Sequence, residues 1–222
     1  MIDQIIRIWD KYSYVYLKGL LGTLWLSAVT VFFATLLGTI LAVLKLTKFK
    51  PANILVDIYV EVIRGTPILL QIYFFWIFLP RLSSIELTDT QSIIIALVIN
   101  ASAYVCEIIR AGIQAVDSGQ QEAGLSLGLT GFHTFSRIVL PQAIKNILPA
   151  LGNEFINMIK QTSLASVFFI NELTTAYRTV QSTTFLSIPS LLIAGLIYLV
   201  VTFVLTRGLN VFERRMKANE RQ

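Results

Sequence analysis

The sequence predicts an all-α membrane protein with five transmembrane helices and a helical loop between the third and the fourth. Of its 222 residues, 55% are apolar and only 14% are charged, whereas charged residues make up about 25% of a typical soluble domain. The apolar residues also form runs long enough to cross a bilayer, which takes about 20 residues. These two observations together indicate a body embedded in lipid.

We expect the five spans at residues 17–46, 54–79, 92–113, 143–170 and 188–209. The second and the fourth contain helix breakers. Residues 1–16 carry apolar side chains at helical spacing and are expected to form an amphipathic anchor in the membrane interface. The transmembrane domain then covers residues 17–213, and residues 214–222 form a tail.

The basic residues predict the orientation of the chain. Lys45, Lys48 and Lys50 follow the first span without an acidic neighbour, and the tail is rich in arginine. Because such residues favour the cytoplasmic side, the first connector and the tail are expected there. Five spans then leave the N-terminus outside and the loop after the third span in the cytoplasm. The net charge of +5 reflects this placement, so we expect no nucleic-acid partner.

Charged residues also occur inside or beside two of the spans. Asp57, Glu61 and Arg64 share one face of the second span, and Glu107 with Arg110 forms an opposite-charge pair at i, i+3. Charges at membrane depth are costly unless they are paired or hydrated, and residues at this spacing can satisfy each other. The sequence leaves two interpretations open, a gate or pathway lining and a role in joining helices.

Helix breakers in the second and fourth spans indicate ligand contacts. Proline removes a backbone donor and clashes with the preceding turn, and transporters often bind ligands where helices are interrupted at membrane depth. A packing kink without a ligand is the alternative. A carboxylate among apolar neighbours, as at position 154, needs a buried partner or a cationic guest. The candidate substrate-binding residues are Glu154, Asn157, Gly65, Thr66, Pro67 and Gln71.

The polar loop at about residues 117–141 is predicted to be two short helices with a bend between them. Ser118 with Gln121 reads as a capping box, and Gly128 suits the left-handed turn that ends a helix. Thr130 can cap the second short helix, and Pro141 falls where the next apolar run begins. A segment of this kind is suited to being held by a partner.

Signs of catalysis are missing from the sequence. It contains no Gly-x-x-x-x-Gly-Lys-Ser/Thr phosphate loop, so ATP hydrolysis by that route is not expected on this chain. The single histidine, His133, has no second ligand nearby, and the single cysteine, Cys106, lies inside an apolar run. We therefore expect neither an enzyme nor a metal site nor a cofactor on this chain.

Four stretches carry a resemblance to a known family. Glu122-Ala123-Gly124, followed by Gly128 and then Ile138 to Pro141, resembles the loop signature of membrane subunits of ATP-binding-cassette (ABC) importers. Gly124 stands where that family usually has a second alanine. The stretches at 64–67, 100–113 and 160–164 are similar to the polar amino acid branch of the family. The similarity runs from about Gly19 to the basic tail.

This resemblance implies a permease subunit with the fold of type I ABC importers, located in the bacterial cell membrane. It implies a second permease subunit, identical or closely related, and two ATPase subunits that carry ATP and Mg²⁺. An extracytoplasmic binding protein would deliver an amino acid. In that family the loop is a coupling helix seated in a cleft of the ATPase. The coupling roles carry over to Glu122, Ala123, Gly128 and Pro141.

The substrate is less defined than the family. Glu154 favours a cationic amino acid such as arginine, lysine or histidine, and glutamine and cystine stay open. A stand-alone secondary transporter or channel subunit is the main alternative function. A membrane-embedded enzyme or scaffold that uses the loop for docking is a second alternative, but the sequence offers no nucleophile or metal set for it.

Overall fold

The structure, a computed structural model, describes residues 1–47, 49–82 and 86–218, with no statement on the side chains of 217 and 218. Predictions that rest on Lys48 or on the tail residues 219–222 lie outside the described residues. Over the described part the chain forms helices and no strand. They are α1 (Ile2–Leu46), α2 (Lys50–Gly65), α3 (Ile68–Leu82), α4 (Asp89–Gln114), α5 (Ser118–Ser126), α6 (Gly131–Thr134), a π-helical turn (Phe135–Val139), α7 (Leu140–Gln161), a 3₁₀ helix (Thr162–Phe168), α8 (Leu173–Thr184) and α9 (Ser187–Ala218).

The all-helical class is confirmed, but the count of five spans is not. Three helices, α1, α4 and α9, are long and apolar enough to cross a membrane. The pair α2 and α3 adds a fourth candidate if it forms one span, bent by 110° at its break. The predicted fourth span corresponds to α7 and the 3₁₀ helix, and its asparagines, lysines and glutamines make it more polar than the others. α8 was not predicted from the sequence.

The first helix has no boundary at residue 16, where the sequence analysis placed one. α1 is one helix of 45 residues, about 68 Å long at roughly 1.5 Å per residue. No helix breaker separates the amphipathic part from the apolar part, and the first part is fixed by tertiary contacts. Tyr16 is fully buried, and its hydroxyl donates to the Ser190 carbonyl of α9 at 3.1 Å. An interfacial position for residues 1–16 stays a prediction.

The core is built around α4, which packs on α1, α2, α3 and α7. Its buried face consists of apolar and small residues, among them Leu97, Ala101 and Val105. Small residues let helices approach closely in membranes, and Gly38 of α1 shows why. A Cβ atom at Gly38 would lie 2.7 Å from the Val105 side chain. The two helices therefore run in direct contact, with their C-terminal ends on the same side of the molecule.

A second cluster joins the N-terminal part of α1 to α8 and α9. The buried Glu172 caps α8 by accepting from the backbone N–H of Thr174 at 2.7 Å, and it accepts from the Tyr198 hydroxyl of α9 at 3.0 Å. The N–H of Leu173 donates to the Thr23 hydroxyl of α1 at 3.0 Å. These bonds place α8 between α1 and α9.

Candidate functional sites

The loop between α4 and α7 contains two short helices, as predicted, but its first cap is Asp117. The Asp117 carboxylate accepts from the N–H of Gly119 at 2.7 Å, so Ser118 is already the first helical residue. The expected capping box of Ser118 and Gln121 is therefore wrong, and the cap is the residue before Ser118. An aspartate side chain caps as well as a serine, and here it lies one position earlier. We call residues 117–139 the coupling segment.

Gly128 forms the bend of the coupling segment. It has a φ of 81°, a conformation that glycine adopts at little cost. The N–H of Gly128 donates to the Leu125 carbonyl at 3.0 Å, and the N–H of Leu129 donates to the Gly124 carbonyl at 3.1 Å. These two bonds end the helix in the manner of a Schellman motif. Thr130 then caps α6 by accepting from the N–H of His133 at 3.3 Å, as predicted.

The coupling segment exposes large apolar side chains close to Glu122 in the chain. Glu122 and Ala123 are exposed, and Leu127 and Phe132 are 83% and 76% exposed. Sequence reasoning identified Glu122 and Ala123 but missed the other two. Their signal was present, because large apolar residues in a polar connector outside the spans have no core to enter. Such a surface indicates a contact with another protein.

Gly124 holds the two short helices together beneath this surface. It is the buried residue of α5, and a Cβ atom there would lie 2.8 Å from Thr134 and 3.0 Å from Ile138. The coupling segment is therefore packed as a unit. Its last part is the π-helical turn, a rare geometry that often marks functional positions. Pro141 follows in the first turn of α7, where its missing N–H costs no hydrogen bond.

The break between α2 and α3 is stabilised by Gln71. The Gln71 amide donates to the Ile63 carbonyl and to the Thr66 hydroxyl, both at 2.7 Å. Its carbonyl oxygen accepts from the Asn100 amide of α4 at 2.8 Å. Backbone carbonyls that a proline leaves unpaired need such partners in a membrane. Gln71 thus supports the break at Gly65, Thr66 and Pro67, which are themselves exposed.

The charged residues near the coupling segment form a network across three helices. Lys45 of α1 lies 2.8 Å from Asp57 of α2 and 2.8 Å from Glu107 of α4. The predicted pair of Glu107 and Arg110 is confirmed at 2.6 Å. Arg64 approaches Glu107 only to 3.7 Å. Asp57 therefore pairs with another helix, which the spacing within α2 did not indicate.

Glu154 is buried in α7 without a cationic partner. It is 7% exposed, and its side-chain neighbour is the Asn157 amide, nearly one turn further on. Over residues 1–47, 49–82 and 86–218, no lysine or arginine forms an ion pair with it. A buried carboxylate with only a neutral partner is a costly arrangement, and a cation beside it would offset that cost.

An open cavity of about 380 Å³ lies at the C-terminal end of α7, lined by Asn157, Lys160, Gln161, Ser163 and Leu164. Lys160 is exposed, and no ion pair involves it in the described part of the chain. The side-chain oxygen of Gln161 is buried and accepts no hydrogen bond there. The unpaired ammonium group of Lys160 and the unsatisfied oxygen of Gln161 suit a ligand that has a negatively charged group and a hydrogen-bond donor.

The candidate substrate-binding residues fall into two groups. Gly65, Thr66, Pro67 and Gln71 lie at the break, which packs on α4. Glu154 and Asn157 lie on α7, which also packs on α4. The π–π contacts of Phe168 with Tyr73 and Trp76 of α3 join the end of the 3₁₀ helix to the first group. The structure thus places the two groups around α4 and shows no contact between Glu154 and the break.

Comparison with known proteins decides the family. The family model described as "binding-protein-dependent transport system inner membrane component" matches residues 34–218, which is most of the chain. The chain belongs to this family. It is therefore a membrane component of a binding-protein-dependent transport system, and the family description places it in the bacterial inner membrane.

Individual relatives of this permease agree with the assignment. The arginine transport system permease protein ArtQ of Bacillus subtilis is 36% identical over 92% of this chain and 93% of its own length. The probable glutamine ABC transporter permease protein GlnM of the same organism is 38% identical over 95% and 96%. The L-cystine transport system permease protein TcyB is 36% identical over 89% and 85%.

Solved structures confirm the fold of the permease. An amino acid ABC transporter crystallised with histidines has a chain that is 42% identical, with a TM-score of 0.89 over 93% of this chain and 96% of that one. A chain of the methionine ABC transporter MetNI in an inward-facing conformation has a TM-score of 0.78 at 15% identity, over 91% and 96%. The latter likeness concerns the fold alone. The fold is that of type I ABC importer permeases.

Proposed function

We propose that this permease is one of two permease subunits in an ABC importer and that it carries a polar amino acid, preferably a cationic one. The observation that carries the proposal is the coupling segment, which exposes large apolar side chains close to Glu122 in the chain, on a family member that lacks a phosphate loop. ATP and Mg²⁺ then belong to two separate ATPase subunits, and an extracytoplasmic binding protein delivers the amino acid.

The orientation follows from charge and from one contact. Lys45 and Lys50 mark the junction of α1 and α2 and favour the cytoplasm. The 2.8 Å contact between Lys45 and Glu107 supports the same side for the C-terminal end of α4, which leads directly into the coupling segment. Arg207, Arg214 and Arg215 favour the cytoplasm for the end of α9. The N-terminus is then outside.

The coupling segment would act by moving as a unit. Gly124 fastens α5 to the following turn, so a force on Glu122, Ala123 and Leu127 reaches both α4 before the segment and α7 after it. Closure of the ATPase subunits on ATP would shift the segment and tilt these helices. Because α4 and α7 carry or border both groups of candidate ligand residues, their movement changes access to the ligand.

The substrate would be recognised at two points on α7. Glu154 supplies a buried negative charge for a cationic side chain, since an opposite charge and a hydrogen bond offset the cost of burial. At the cavity nearly two turns further on, Lys160 would bind the carboxylate of the amino acid and Gln161 would accept from its ammonium group. Glutamine or cystine would use the second point without the first.

A stand-alone secondary transporter or channel subunit is the competing function. It would leave Leu127 and Phe132 in water without a purpose, since exposed apolar surface outside the membrane marks a protein contact. The relatives named above are permease subunits of transport systems, which also favours the importer.

Affinity purification of the chain, co-expressed with an ABC ATPase from the same genome, tests the docking role. We expect a stable complex with the unchanged chain. Leu127→Asp should lower the recovered ATPase by about tenfold or more, because it removes a leucine that the contact would bury and places a charge there. Phe185→Asp is the matched control, since Phe185 is equally exposed, at 87%, but lies after α8. Equal recovery with Leu127→Asp would contradict the docking surface.

A further inference from the structure

The charged network borders a second open cavity, separate from the one on α7. Its volume is about 510 Å³, which is within the range of small-molecule sites, roughly 300–1,000 Å³. It lies between the end of α1, the charged face of α2 and α4. Its lining residues are Lys45, Asp57, Val60, Glu61, Arg64, Gly65 and Glu107.

The cavity lies in the half of the membrane next to the coupling segment. Glu107 precedes the end of α4 at Gln114 by about 10 Å, at roughly 1.5 Å per residue, in a hydrocarbon layer about 30 Å thick. The cavity also reaches Gly65 at the break of α2 and α3. Charged groups at this depth require water or a ligand, so we expect the cavity to be hydrated and open to polar molecules.

Some of these charges already satisfy one another, and others do not. Lys45 is 19% exposed and Glu107 is 16% exposed, and they pair at 2.8 Å. Arg64, by contrast, is 44% exposed: its guanidinium lies 3.7 Å from a Glu107 carboxylate oxygen and over the Tyr104 ring at 5.4 Å, which leaves N–H groups free to bind an anion. Glu61 is exposed, and no ion pair involves it among the described residues. Glu61 and Arg64 therefore offer one negative and one positive charge to the cavity.

The spacing of these two residues suits the head group of an α-amino acid. Residues three apart on a helix have their Cβ atoms about 5–6 Å apart. A guanidinium group binds a carboxylate through two parallel hydrogen bonds, and a carboxylate accepts from an ammonium group. The head group carries a carboxylate and an ammonium on a single carbon. A simple cation or a simple anion would satisfy only one of the two residues.

We propose that this cavity is an exit subsite that binds the amino acid head group on the coupling-segment side, with Arg64 on its carboxylate and Glu61 on its ammonium. The inference rests on the proposed function, because it takes the same substrate class. The subsite differs from the α7 site in selectivity. It contacts only the head group, so arginine and glutamine bind it with equal affinity, whereas the α7 site with Glu154 prefers arginine.

Equilibrium binding of radiolabelled arginine to the purified, nucleotide-free permease–ATPase complex tests the subsite. The binding protein is left out, and the arginine concentration is raised to the millimolar range. We expect two sites per permease chain. Arg64→Gln and Glu61→Gln should each weaken the exit site by about fivefold to tenfold, in line with partly exposed charge pairs, and leave the α7 site unchanged. Retained binding at the α7 site shows that the variants fold.

Modified ligands separate the two contacts. Argininamide lacks the carboxylate, so Arg64→Gln should not change its binding, and N-acetylarginine lacks the ammonium, so Glu61→Gln should not change its binding. Arg7→Gln and Asp10→Asn remove the same charges from exposed positions near the opposite end of α1 and should have no effect. One site per chain in the unchanged protein, or two sites unaffected by both variants, would overturn the subsite. No binding of arginine or glutamine at all would overturn the proposed function itself.

Discussion

Replacing Gly128 with proline is expected to separate ATP hydrolysis from amino acid uptake while the permease stays in the membrane. Proline fixes φ near −65° and has no N–H, whereas Gly128 has a φ of 81° and donates to the Leu125 carbonyl. The bend must then rearrange, and the surface offered to the ATPase changes its direction. We expect uptake to fall to about a tenth or less, since a proline at such a site costs roughly 3 kcal/mol.

The measurement is uptake and ATP hydrolysis by the same reconstituted complex. Gly131→Pro is a matched control, because Gly131 is the first residue of α6 after an extended Thr130, a position where proline is tolerated. It should leave both activities near normal. Glu122→Arg, which reverses the exposed charge of the contact, should lower coupled uptake without changing membrane insertion. Full uptake by both Gly128→Pro and Glu122→Arg would refute the coupling role.

Glu154→Gln is expected to remove the preference for cationic amino acids. The unpaired carboxylate of Glu154 is 7% exposed, so a guanidinium beside it would form a largely desolvated pair. Truncating one partner of such a pair costs about 2–5 kcal/mol, which corresponds to a loss of arginine affinity of roughly 30-fold or more. Glutamine affinity should stay nearly unchanged, because a neutral side chain gains little from the charge.

Competition between arginine and glutamine for the α7 site of the purified complex measures this effect. Glu86→Gln, at an exposed position before α4, makes the same chemical change away from the site and serves as the control. If arginine binds Glu154→Gln as tightly as the unchanged protein, the argument for a cationic substrate fails, and glutamine or cystine becomes the better candidate.

Local patterns in the sequence predicted the local structure well. The left-handed turn at Gly128 and the pair of Glu107 with Arg110 each depend on residues close in the chain, and each is confirmed. α4 ends within one residue of the predicted Ile113 but begins three residues before the predicted Ser92. The break at Gly65 to Pro67 was also predicted, because proline acts on its own turn. The bend of 110° was not, since it depends on Gln71 and its contact with α4.

Features that depend on distant residues could not be predicted in this way. The continuity of α1 across residue 16 reflects the contact of Tyr16 with Ser190, 174 residues away. The short helix α8 is too polar on average to stand out as a span, although its buried Leu173, Ala176 and Val180 recur at helical spacing. It is held by Glu172, Thr23 and Tyr198 from three parts of the chain. The cavity at Lys160 and the charges left free beside Glu107 likewise follow from packing. Candidate ligand residues were therefore identified one by one, and their grouping required the structure.

The most direct test of the account is arginine uptake into proteoliposomes that contain the permease, its ATPase and its binding protein. We expect uptake that requires ATP on the side of the membrane that carries the ATPase and the binding protein on the opposite side. It should stop when the ATPase subunit cannot hydrolyse ATP. Amino acid uptake that continues without ATP, driven by an ion gradient across the membrane, would contradict this expectation and would favour a secondary transporter.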